Sequence, residues 1–308
     1  MERFWSYWGK SGEGSDIHPL VFHKLDVAAT GLALLEAMPK LHERLSEVSG
    51  LCRNLLKRWI GFFLALHDLG KFSRGFQQLN KSLHPRPDSQ YPYTIRHDTL
   101  GYIAWRKLFA YDELLLDQLA AWQEDDCDDD DPLDLIDTWI QCVTGHHGKP
   151  PDTVQAPMAD HFSPADQEAI KEWVSTAAQL FLPSSPLPLG CKLSVANGRR
   201  HDASWLLAGF CTLADWLGSN RDHFPFRTAP MDPHAYLQEI AIPQARRAIA
   251  ASGLLPVAGA EFSGLPQLFD FIDTPTPLQA ACLETPLANT PQLHILEDVT
   301  GAGKTEAA

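Results

Sequence analysis

The segment WIGFFLALHDLGKF, residues 59–72, constrains this chain more than any other. Its first eight residues carry no charge, which places it in a core, yet His67 and Asp68 follow directly. A lone ionised carboxylate buried there costs several kcal/mol, so the fold must bring a partner to Asp68. Adjacent residues on a helix point about 100° apart and converge only on something set between them, which suits a metal ion. Neutral imidazole with carboxylate is a ligand set for Mn, Fe, Co, Ni or Zn. By itself the pair fits more readily a core histidine beside a capping aspartate. If a metal is the partner, removing Asp68 relieves a buried charge and leaves the metal-free fold intact or firmer.

Further polar intrusions follow the same pattern. His23 interrupts PLVFHKLDVAA, and His97 opens the helical stretch HDTLGYIAW. His146 and His147 end a helix in VTGHHG, where glycines let the backbone turn sharply. Asp215 is the only charge between Ser204 and Leu217. Each singly reads as a satisfied core group. Together, five histidines and two aspartates on apolar or glycine-flanked supports suffice for two metals sharing one carboxylate.

Apolar residues at three-to-four spacing predict helices over 19–38, 51–69, 97–110, 112–122, 133–144, 164–181, 203–217 and 233–251. Loops are marked by Pro, Gly and Ser at 81–93, 148–157 and 183–190. No long strand-like alternation precedes the last twenty residues, and no solenoid repeat is present. The expected fold class is all-α: a helical bundle over 1–251, a glycine-rich linker at 252–264, and a short α/β piece over 265–308. No stretch reaches the ~18 apolar residues of a membrane span, and MERFWSYWGK lacks the apolar run of a secretory signal, so a cytoplasmic location without a membrane partner is expected. Six scattered cysteines with no C-x-x-C pair argue for reduced thiols. The net charge of −14 argues against a broadly basic nucleic-acid surface. Half of it comes from EDDCDDDD at 124–131, read as a solvated loop, so any DNA path must be a local groove.

The ordered set His23, His67-Asp68, His97, His146-His147 and Asp215 lies in the phrases DIHPLVFHKLDVAA, FFLALHDLGKF, RHDTLGYIAW, VTGHHG and LLAGFCTLADWLGS, with YWGKS before them. In this it resembles the HD nuclease domain of the signature nuclease–helicase of type I CRISPR-associated systems, subtype I-E in particular. The likeness is close over residues 5–220 and continues in order to the end. It implies an HD-domain helical bundle and a metal-dependent nuclease cutting single-stranded DNA. It also implies that His23, His67 and Asp215 hold one divalent ion and that His97, His146 and His147 hold another, with Asp68 the catalytic bridge. Mn, Fe, Co and Ni are the candidate ions, with Mg a further one. Lys71 matches the family's HD-x-G-K lysine and would steady charge on a phosphorane-like transition state, although a helix-end lysine is the plain alternative. Asp26 is expected to orient His23, and Ser219 to touch substrate. Lys71, Arg74, Arg199, Arg200 and Arg221 are candidate groove cations. The implied partners are single-stranded DNA, an RNA-guided surveillance complex and phage-encoded inhibitors.

EDVTGAGKTEAA, residues 297–308, resembles the P-loop of the same family's superfamily 2 helicase, following a short apolar strand predicted in QLHILEDVT. Backbone N–H groups of Gly301 to Gly303 would cradle phosphates, Lys304 would reach the β/γ-phosphates and Thr305 would hold Mg²⁺. Gln279 in TPTPLQ would read adenine, making ATP and Mg the cofactors of this part. Asp298-Val299 departs from the family's Ala-Pro. With no Walker B motif in the sequence, residues 265–308 are expected to be the truncated start of a RecA-like motor, unable to hydrolyse ATP. Two other readings fit the motifs: an HD phosphohydrolase acting on nucleotides, and a non-catalytic docking module stabilised by its metal.

Overall fold

The computed structural model describes residues 2–12, 16–120, 132–182, 200–257, 259, 261–288, 290 and 292–308. The acidic run at 124–131, the loop at 183–190 and Arg199 lie outside these, as does the side chain of Arg200. The chain divides into two units, Met1–Leu255 and Pro256–Ala308, within the stretch read as a linker.

The first unit opens with an antiparallel ribbon, β1 (Trp8–Ser11) and β2 (Ile17–Pro19). Helices follow: α1 (Leu20–Ala37), α2 (Pro39–Ser49), α3 (Arg53–Leu64), α4 (Arg74–Gln77), α5 (His97–Leu108), α6 (Glu113–Ala120), α7 (Pro132–Thr144), α8 (Pro164–Phe181), α9 (Arg200–Gly218), α10 (Pro233–Tyr236) and α11 (Ile242–Ala251). A π-turn over Leu237–Ala241 joins the last two. Helix α1 is the axis: every residue from Leu20 to Gly31 is buried, against α3, α9 and α11. A helix apolar nearly all round belongs inside a bundle.

Two glycines fix the crossings that matter. A Cβ on Gly218 would stand 2.9 Å from the Cα of Val27, so α9 lies backbone-close on α1. A Cβ on Gly70 would overlap the His97 carbonyl, so the turn after α3 sits directly on the start of α5. Both are positions where only glycine permits the approach.

Several expectations need correcting. Helix α2 was not anticipated; Pro39 starts it and Gly50, at φ 70, ends it in the left-handed region. Helix α3 stops at Leu64 rather than 69. Cys52 is disulfide-bonded, while Cys142, Cys211 and Cys282 are free thiols. In the second unit the described residues form α12 (Leu265–Leu268), α13 (Pro277–Glu284) and α14 (Lys304–Ala307), and the strand expected in QLHILEDVT is not formed. A lone strand without neighbours to pair with is not stable, which accounts for the loss of the α/β character there.

Candidate metal centre

The HD pair sits where the α-helix tightens. Leu66, His67, Leu69 and Lys71 each donate their N–H to the carbonyl three residues back, at 2.9 to 3.2 Å. This narrower winding swings His67 and Asp68 off the helix end. The carbonyl of Ala65, freed by the change, accepts from Trp173 Nε1 at 2.9 Å.

Asp68 is wholly buried and its two oxygens face two groups of donors. Oδ2 lies 3.0 Å from His23 Nε2 and 3.2 Å from His67 Nε2. Asp215 Oδ1 completes that side, 3.6 Å from His23 Nε2 and 3.8 Å from His67 Nε2. Oδ1 of Asp68 lies 3.5 Å from His97 Nε2 and 3.7 Å from His146 Nε2. His147 joins this second group, its Nε2 3.0 Å from His97 Nε2. Ligand atoms of His23, His67 and Asp68, and separately those of His97, His146 and His147, lie within 4.8 Å of one another. All seven sequence-predicted residues are thus brought to one place.

The protonation pattern suits a cation. His67 Nδ1 donates to the Leu64 carbonyl at 2.7 Å and His146 Nδ1 to the Val143 carbonyl at 2.9 Å, which turns the Nε2 of each ring inward. The Nε2 atoms of His23 and His67 face each other at 3.3 Å, and two unprotonated nitrogens so placed would repel without a metal between them. Burial drives four of these histidines toward the neutral form, His97 to about 4 and His146 to about 3, with His23 and His147 also lowered. Burial alone would raise the Asp68 carboxyl, but the Lys71 ammonium and the His67 ring outweigh it and hold it well below the usual carboxylate range. Asp215, which burial would likewise raise, is held down by His67, His23 and His146. Asp68 Oδ2 has the Lys71 ammonium at 2.6 Å, but Oδ1 has no hydrogen-bond partner among the described residues, a cost that a metal would relieve. Imidazoles pushed toward the neutral form, ionised carboxylates and an unpartnered buried oxygen are the state in which such groups bind a divalent cation, and the donor set fits one.

The residues around the centre fall less tidily. Lys71 Nζ forms an ion pair with Asp68 Oδ2 at 2.6 Å. Ser219 Oγ donates to Asp215 Oδ1 at 2.9 Å, so it orients a candidate ligand. Asp26 does not orient His23 as expected; its carboxylate is taken by His18 Nε2 and the Tyr236 hydroxyl, both at 2.9 Å. Arg74 is bound to Asp166 at 3.1 Å, and Arg221 to Asp16 at 3.3 Å. Tyr93, read only as part of a loop, has its hydroxyl 3.1 Å from His97 Nδ1. No periodicity marks such a loop residue.

In the second unit, Gly301 and Gly303 take positive φ values of 87° and 76° in the turn before α14. Lys304 Nζ donates to the carbonyls of Asp298 and Val299, both at 2.8 Å. Gln279 is buried, with Oε1 capping Thr276 N at 3.0 Å and Nε2 donating to the Gly303 carbonyl at 3.2 Å, so its amide is engaged within the chain. Thr305 is exposed.

Buried helices converging five histidines and two aspartates on one point define a metal-binding domain of the HD type. The family described as Cas3, HD domain, matches residues 8–224, and the chain belongs to it. The CRISPR-associated endonuclease/helicase Cas3 of Escherichia coli (strain K12) is 33% identical, over 98% of this chain and 36% of that protein. A crystal structure of a CRISPR-associated protein superposes with a TM-score of 0.61 at 29% identity, over 99% of this chain and 33% of that one. The Thermus thermophilus cas3 HD domain, crystallised in the presence of Ni²⁺, shares the fold with a TM-score of 0.54 at 23% identity, over 84% of this chain and 94% of that one. The chain spans about a third of the length of the curated relatives it matches. No helix among the described residues is long and apolar enough to cross a membrane.

Proposed function

We propose that the first unit is a nuclease that cuts single-stranded DNA with two divalent ions, one held by His23, His67 and Asp215, the other by His97, His146 and His147. Asp68 is the residue between them, because each of its oxygens faces a different histidine group, and this observation carries the reading. Divalent cations held there would supply Lewis acidity toward phosphate oxygens and an acidified water. The chain's own part is to hold imidazoles neutral, keep two carboxylates ionised and fix their spacing. Mn, Fe, Co and Ni suit imidazole with carboxylate, with Mg a further candidate.

Single strands are favoured by the surface beside the centre. Trp205 and Trp216 on α9 are exposed at 77% and 71%. Eleven residues are close to a whole number of turns at about 3.6 per turn, so both project from one face, next to that of Asp215. Exposed aromatic rings stack unpaired bases without regard to sequence. The CRISPR-associated names of the relatives support an RNA-guided surveillance complex as the partner that delivers the strand, with phage-encoded inhibitors as further candidates. Residues 298–305, with Gln279, would begin an ATP and Mg site in a full-length motor.

The test is a nicking assay on circular single-stranded DNA with each metal added to stripped protein. Metal-dependent nicking, blocked by chelator and slight on intact duplex, is expected. Hydrolysis of free nucleotides without DNA cutting would favour a nucleotide phosphohydrolase, and metal uptake with no activity a docking module.

A further inference from the structure

We infer that Lys10, on β1, is the cation that contacts the scissile phosphate, whereas Lys71 serves to hold Asp68; the inference rests on the nuclease reading above.

The ribbon is built onto the metal centre. A Cβ on Gly9 would stand 2.9 Å from the Cα of Leu20 and 3.1 Å from the Cβ of His23, so β1 runs directly over α1 at a candidate ligand. The ladder is irregular at this residue: Trp8 pairs with Pro19 but Lys10 already with His18. A bulge of this kind re-aims the side chain that follows it. The strand is clamped on its other side as well. Gln77 accepts from Trp8 N at 3.0 Å and donates to the Trp8 carbonyl at 3.0 Å and to the Lys71 carbonyl at 2.7 Å. The Trp8 ring stacks on Phe76 at 4.8 Å, and Phe76 meets His97 edge-on at 5.3 Å. Thus β1 spans from the His23 side of the centre to the His97 side, with Lys10 two residues beyond Trp8.

Three lysines lie near the centre and their surroundings differ. Lys71 Nζ is committed to Asp68 at 2.6 Å and is 7% exposed. Lys24 is fully buried over the Phe72 ring at 4.2 Å. Lys10 is only half-buried, and among the described residues its ammonium makes no ion pair or hydrogen bond. Burial and the Lys71 ammonium lower its pKa, with Asp215 and Asp68 opposing, and the Gly9 backbone beside it runs against the Cβ of His23. A cation kept at the edge of a carboxylate and histidine cluster, yet tied to none of it, is placed to meet an anion brought there. The non-bridging oxygens of a phosphodiester are that anion, and their charge grows in the transition state.

The experiment compares Lys10→Met, Lys10→Arg and wild type in three measurements: nicking of circular single-stranded DNA, the metal-induced shift in Tm, and the salt dependence of oligothymidine binding by fluorescence anisotropy. Lys10→Met should keep the metal-induced shift yet nick about 10²-fold more slowly, the scale seen when one charge-stabilising donor is lost. Its salt slope should fall by about 0.7, the share of one single-strand phosphate. Lys10→Arg, which keeps the charge, should recover most of both. Nicking by Lys10→Met at the wild-type rate, or an unchanged salt slope, overturns the inference while leaving the nuclease reading intact. Loss of the metal-induced shift in Lys10→Met would make the residue a support of the centre and also overturn it. Wild-type protein that takes up metal but neither binds nor cuts DNA sinks both readings.

Discussion

The two halves of the centre are built differently. His23 and Asp215 stand on α1 and α9, which cross backbone to backbone, and His67 on the buried turn that follows α3; both histidines are at most 1% exposed. His97, His146 and His147 come from a helix start and a glycine-flanked turn, where His147 is exposed and the His97 side chain is 12% accessible. A site packed in the buried core holds its geometry without a ligand; one at a more exposed helix start and turn opens more easily. The inner half should therefore retain its ion, while the outer half exchanges ion and admits substrate. Asp68 joins the two.

The largest effect tests that junction. Asp68→Ala should lower nicking by at least on the order of 10³-fold, because among the described residues no other carboxylate faces both groups. The same change should also destabilise the metal-free protein, contrary to what the sequence suggests. Asp68 is not a lone buried charge: removing it strands the Lys71 ammonium, 2.6 Å away and nearly buried. Breaking such a pair costs about 3–5 kcal/mol. Adding Lys71→Met to Asp68→Ala should restore most of that stability without restoring activity, as read by chemical denaturation. A metal-free Asp68→Ala protein as stable as wild type would show that the pair is not coupled as drawn.

Next in size is the contrast between the halves. His23→Ala should lose activity that excess metal does not recover, whereas His147→Ala should regain much of it at high Mn²⁺ or Co²⁺. A metal titration of nicking decides this, and equal rescue of both variants would break the comparison.

A smaller effect comes from pH. In the metal-free protein, His97 and His146 are held near 4 and 3, against about 6.5 when unfolded. As pH falls below about 6.5 the unfolded chain takes up these protons first, so stability is complete above that value and is lost progressively down to about 3–4. Asp68 and Asp215, held low, add to the loss only below about 4, and Asp26, raised by burial, opposes it. Melting curves from pH 7 to 4 should show the decline, shallower in His146→Gln and in His97→Gln. The smallest change is Ser219→Ala. Loss of its hydrogen bond to Asp215 should weaken the inner ion by about 10–100-fold without touching the outer one.

Much of this was legible in the sequence, in a specific way. Polar residues in apolar helical segments stood out because burial of a charge demands a partner, and those seven residues meet. Periodicity also placed α1, α7, α8 and α9 within a few residues. It could not say which face of one helix meets another. Asp26 was therefore assigned to His23 by spacing, when β2 and α10 bring it His18 and Tyr236. Lys71 was given to substrate, though a tight turn sets it on Asp68. The end of α3 was overrun because an apolar run does not reveal where winding tightens. The strand near 292–298 failed for a different reason: a strand needs neighbours that these residues do not provide.

The central claim is that one carboxylate joins two metal sites, and electron paramagnetic resonance of Mn²⁺-loaded protein tests it most directly. At saturation the wild type should bind two ions per chain and give the spectrum of a spin-coupled pair, whereas Asp68→Asn should give isolated Mn²⁺ or lose an ion. One ion at saturation in wild type, or a coupled pair that survives Asp68→Asn unchanged, would contradict the account.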